Sequence, residues 1–148
     1  MEYVYYGNEN NDIHPINSEY PGITDPHSLY DALSVLWCEE TCAFWLRDKW
    51  TPDNKTLGQC SISSFLAQDI FGGKVYGIKR PAGNFHCYNV IDGKTFDLTS
   101  EQFPGEVLDY TDNPEQFREV HFKDKDKKRR YDVLKKMLKD YCDGNIKV

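Results

Sequence analysis

The chain has 148 residues, 39% of them hydrophobic and 14% aromatic, a length and composition at which one domain folds and buries a core without metal or disulfide staples. Its formal net charge of −6 argues against a nucleic-acid-binding module, whose domain is normally basic. No run approaches the roughly 18–20 apolar residues that cross a bilayer, the opening residues lack the basic start and apolar stretch of a signal peptide, and five cysteines are an odd number for a disulfide framework. A cytoplasmic setting, reduced thiols, no membrane and no cofactor are therefore expected.

Residues 1–24 mix Tyr, Asn, Pro and Gly without period and read as an irregular arm. Residues 25–148 read as a single α+β domain without repeats or linkers. Asp25 followed by Pro26 signals a helix start, with Leu29, Ala32, Leu33 and Leu36 at helical spacing. Thr41 is a candidate cap for a second short helix through Trp45 and Leu46, broken by the run from Trp50 to Asn54. A third helix carries Ile62, Phe65, Leu66 and Ile70 and closes at Gly72-Gly73. Thr56 with Gln59 has the form of a capping box, which places Cys60 in the first turn.

Strand-like runs follow at 74–79, 86–91 and 94–98, the last two joined by Asp92-Gly93, a hairpin signal. A helix is expected from Thr99 or Ser100, with Gln102 as its capping partner, ending at Pro104-Gly105. The tail from Lys125 to Tyr141 carries Tyr131, Leu134, Leu138 and Tyr141 on one face, and the mixed charges from Lys123 to Arg130 read as a solvated face.

A thiol becomes nucleophilic when its pKa falls, and a helix N-terminus beside an imidazole lowers it. Cys60 meets the first condition. Gly58 permits close backbone approach, and the free N–H groups of the first turn suit an oxyanion. His86 opens a strand facing the helix start, and Asp97 on the partner strand reaches the second imidazole nitrogen. Gln59, Gly58, Tyr88 and Trp50 are candidates for oxyanion binding and cleft lining. Cys38, Cys42, Cys60 and His86 offer zinc-ligand chemistry, but no Cys-x-x-Cys knuckle is present, so no metal is expected. Cys87, on the opposite strand face from His86, reads as core.

The segments Gly58-Gln59-Cys60-Ser61-Ile62-Ser63, Gln68-Asp69-Ile70-Phe71-Gly72-Gly73, His86-Cys87-Tyr88-Asn89 and Asp97-Leu98-Thr99-Ser100 resemble the small bacterial YunG-like family over roughly residues 28–103. The helix Cys, strand His-x-aromatic and strand Asp-x-Thr pattern is also similar to the core of transglutaminase-like and papain-like folds. That resemblance implies Cys60 as nucleophile, His86 as general base and acid, and Asp97 as orienting residue. Two departures stand out: the chain is short for such enzymes, and Tyr88 stands where transglutaminase-like sequences often carry Trp.

The expected architecture is an α+β papain/transglutaminase-like core, a nucleophile helix packed on a small antiparallel sheet with flanking helices at both ends. The expected chemistry is acyl transfer on an amide borne by a small molecule, peptide or protein. The rival is a non-catalytic binding module that keeps the fold and cleft.

Overall fold

A computed structural model describes residues 2–144. Helix α1 spans Pro26–Leu36 and starts as expected. The Asp25 carboxylate accepts from the Ser28 N–H at 2.8 Å, while the Ser28 hydroxyl accepts from the Asp25 N–H at 3.1 Å. The expected second helix is instead a 3₁₀ helix, Phe44–Lys49, and Thr41 does not cap it. The Thr41 hydroxyl turns back and donates to the Cys38 carbonyl at 3.0 Å.

Helix α2 runs from Cys60 to Phe71, so Cys60 is its first residue. The Thr56–Gln59 capping box is not formed. Thr56 Oγ1 is buried without a partner among the described residues, and the Gln59 side-chain amide donates to the Cys38 carbonyl at 3.1 Å. Gln59 caps α2 by backbone alone, its carbonyl accepting from Ser63 N–H at 3.2 Å.

The chain then forms β1 (Lys74–Lys79), β2 (Phe85–Ile91) and β3 (Lys94–Phe96), and later the two-residue β4 (Glu115–Gln116). All pairings are antiparallel, in the order β3-β2-β1-β4. Asp92 and Gly93 take φ of 52° and 76°, the geometry a tight primed hairpin turn requires. β3 stops short of its expected end, because Asp97 pairs instead with Tyr6 in an isolated bridge. The helix expected near Thr99 is a single 3₁₀ turn, Ser100–Gln102. There the Gln102 amide donates to the Thr99 carbonyl at 3.1 Å rather than closing a capping box.

The four-residue α3 (Arg118–His121) and β4 are too short to leave a periodic signal in sequence. Helix α4 spans Lys125–Cys142, with the Asp124 carboxylate accepting from the N–H groups of Asp126 and Lys127. One correction concerns its charged stretch. Arg130 is only 1% exposed, its guanidinium satisfied by Asp126 at 3.0 Å and the Thr41 carbonyl at 3.2 Å.

α2 packs on β1 and β2 and also against α4, and α1 packs on α4. Burial on more than one side explains why Ser61–Ala67, three serines included, are all buried and leave no exposed face over that stretch. Leu29 and Leu33 of α1, Phe65 and Leu66 of α2, and Leu134 and Leu138 of α4 meet in one core. Residues 2–24 contain no helix but place Tyr5, Ile13, Tyr20 and Ile23 in that core. Among the described residues no helix is long and apolar enough to cross a membrane.

Candidate active site

Cys60 is half-buried at the start of α2 and lines a cleft of about 460 Å³ together with Gly58 and His86. Gly58 has φ of 71°, and a Cβ there would lie 2.6 Å from Cys42 Sγ, so the approach to the helix needs glycine. Its carbonyl accepts from Ala43 N–H at 2.9 Å, which ties the entry of α2 to the 3₁₀ segment whose Trp45 and Leu46 form one wall.

The protonated Cys60 thiol donates to the Phe85 carbonyl at 3.8 Å. On ionisation that donor is gone, and Cys87 and His86 are the neighbours that favour the thiolate. The Cys87 hydrogen bond is the largest influence holding the Cys60 thiol well below its ordinary value; it outweighs burial, and the His86 hydrogen bond and charge add to it. The same contact, with burial, pushes Cys87 up. Cys87 is buried as its strand parity indicates, yet it still favours the Cys60 thiolate.

His86 is 1% exposed and its Nε2–H donates to Asp97 Oδ2 at 2.6 Å. Burial opposes the imidazolium, but the charge and hydrogen bond of Asp97, aided by Cys60, raise the pKa of His86 to about 10. With Nε2 committed to Asp97, Nδ1 is the atom left for chemistry. The Gln102 amide lies 3.4 Å from it.

Asp97 is itself fixed by further donors. Its Oδ2 accepts from the Tyr110 hydroxyl at 2.7 Å, and its Oδ1 accepts from the Thr99 N–H at 3.2 Å. Four groups thus converge: Cys60 and His86 on the cleft, Asp97 behind the imidazole, Tyr110 behind Asp97.

The other candidates fall elsewhere. Gln59 is buried against the Cys38 carbonyl and does not line the cleft. The Trp50 indole donates to the Lys55 carbonyl at 2.9 Å, and Trp45 stands at the cleft in its place. Tyr88 is buried behind the site, where its hydroxyl donates to the Tyr110 carbonyl at 3.2 Å and accepts from Asn113 at 2.9 Å. Among the described residues no three His, Cys, Asp or Glu side chains gather as metal ligands.

Sequence reasoning missed Gln102 and Tyr110. Gln102 belongs to a single turn and reads in sequence as a helix-capping residue, and Tyr110 lies in a segment with no regular structure. A Tyr 13 residues after Asp97 carries no local signal of a contact.

The YunG protein family model matches residues 25–143, most of the chain. The chain belongs to the YunG family. Within it, 59 residues are 39% identical to the uncharacterized protein YunG of Bacillus subtilis (strain 168), an alignment covering 40% of this chain and 50% of that protein. The chain thus aligns with about half the length of this YunG relative. No solved structure matches. The YunG match takes in every cleft residue named above, while Tyr5 and Tyr6 precede it.

Proposed function

We propose that this YunG family protein is a cysteine-dependent amide hydrolase or acyltransferase of papain-like or transglutaminase-like chemistry, with Cys60 as nucleophile, His86 as general base and acid, and Asp97 as orienting residue. The observation that carries this reading is the buried His86–Asp97 pair, 2.6 Å apart, beside a half-buried thiol at a helix start in the same cleft. The cleft volume of about 460 Å³ suits a small ligand or one extended side chain with its amide.

The Cys60 thiolate attacks the amide carbon, forming the C–S bond as the carbonyl π pair moves to oxygen. The first-turn N–H of Cys60 and the side-chain amide of Gln102 are the donors assigned to that oxyanion. Collapse breaks the C–N bond, and the leaving amine takes the proton from His86 Nδ1. Water or a second amine then attacks the thioester, giving its proton to Nδ1, and the thiolate departs. Asp97 orients the His86 ring throughout and steadies its charge whenever Nδ1 carries the proton.

The test is the pH dependence of Cys60 alkylation by iodoacetamide, located by mass spectrometry, in the wild type and in His86→Ala. Labelling that persists well below the free-thiol pKa of about 8.5, and is lost in the variant, supports the reading. Cys60 labelling no faster than the other four thiols sinks it in favour of a binding module.

A further inference from the structure

The chain carries 24 acidic and 18 basic residues, yet the cleft has the opposite character. Arg80, Lys127 and Arg130 line it, with no Asp or Glu. Two of the three cations are satisfied by acids outside the lining: Arg80 grips both carboxylate oxygens of Glu106, and Arg130 bonds Asp126. Lys127 has no carboxylate partner among the described residues.

Lys127 is nonetheless held in place. Its Nζ donates to His121 Nδ1 at 2.9 Å, and His121 Nε2–H donates to Gln116 Oε1 at 2.8 Å. The Gln116 amide nitrogen donates to the Pro114 carbonyl at 3.2 Å, which fixes the direction of the amide and hence the tautomer of His121. Gln116 reaches this position because Gly77 of β1 has no side chain: a Cβ there would lie 2.8 Å from Gln116 Cδ. Burial first, and then the Lys127 charge, push His121 down to about 4, so the imidazole stays a neutral acceptor.

A neutral acceptor orients an ammonium without cancelling its charge, as a carboxylate partner would. A half-buried cation left uncompensated in an acid-free cleft is complementary to an anion. We propose that Lys127 anchors a carboxylate on the ligand, so that the cleft selects amides that themselves bear a carboxylate. The proposal deepens the reading of Cys60 as the reacting thiol and names the substrate class of that site.

Two measurements keep the two ideas apart. In the Cys60→Ala background, which removes turnover, binding of hippurate is compared with that of its neutral analogue hippuramide by calorimetry, with Lys127→Met and Lys127→Arg added and folding checked by circular dichroism. Hippurate is expected to bind about tenfold more tightly than hippuramide, with the preference lost in Lys127→Met and largely kept in Lys127→Arg. A preference that survives in folded Lys127→Met, or the absence of any preference in Cys60→Ala, overturns the anchor whatever Cys60 does.

In otherwise wild-type protein, the rate of Cys60 labelling by iodoacetate relative to iodoacetamide should fall about tenfold on Lys127→Met, the ratio cancelling any change in the reactivity of the thiol itself. An unchanged ratio also overturns the anchor. Failure of iodoacetamide to label Cys60 selectively counts against the thiol reading, and the hippurate comparison still decides the anchor.

Discussion

At the scale of residues, the site is a proton-sharing problem. With Cys60 held low and His86 raised to about 10, the folded pair is thiolate and imidazolium and holds one proton across the neutral range. The unfolded chain, with ordinary values of 9.0 and 6.5, holds two protons below pH 6.5, one between 6.5 and 9.0, and none above. Stability contributed by the depressed Cys60 is lost as pH falls, and that contributed by the raised His86 is lost as pH rises through about 10. The thermal midpoint should therefore rise up to pH 6.5, stay level to about 9, and fall above it. Asp97→Asn, which lets His86 lose its proton sooner, should shorten or abolish the fall above pH 9, because the folded pair then gives up its last proton no later than the unfolded chain does; an unaltered profile in this variant would show that Asp97 does not hold the imidazolium. Thermal scans by circular dichroism across pH check both.

At the scale of elements, the helices and the hairpin were legible where chemistry is local. Asp25-Pro26 marked α1, apolar spacing marked α2, and Asp92-Gly93 marked the turn between β2 and β3. What was not legible depends on partners distant in sequence. The Thr56–Gln59 box fails because Gln59 finds the Cys38 carbonyl 21 residues earlier. Arg130 leaves the solvated face because Thr41, 89 residues away, offers a carbonyl. The cleft's Lys127 was hidden for the same reason, since a lysine in a charged run looks like surface until β4 and α3 are in place. Packing of α4 is a further case with a measurable consequence. Leu138 is fully buried between α4 and its neighbours, and Leu138→Ala should cost about 2–5 kcal/mol, read as a lowered midpoint in urea unfolding. A loss below about 1 kcal/mol would mean that α4 is not part of the cooperative core.

At the scale of the whole molecule, the segment ahead of the YunG match belongs to the fold energetically. Tyr6 carbonyl accepts from Asp97 N–H at 2.9 Å, Tyr6 N–H donates to Ser100 Oγ at 2.9 Å, and the Tyr6 ring stacks on Tyr110 at 3.8 Å. These contacts brace the residues behind His86. Deletion of residues 2–24 should abolish cooperative thermal unfolding or lower its midpoint sharply, because Tyr5, Ile13, Tyr20 and Ile23 leave the core with it. A midpoint equal to that of the full chain would make the segment a mere covering. The arrangement of helices has a consequence for synthesis. α1 and α2 each rest on α4, which is made after both, so a nascent chain that has emerged only to β4 leaves their apolar faces without their partner helix. A ribosome pausing within α4 would hold that surface open to chaperones, and the thiol at the head of α2 would meet solvent before Lys127 and Arg130 have closed their side of the cleft.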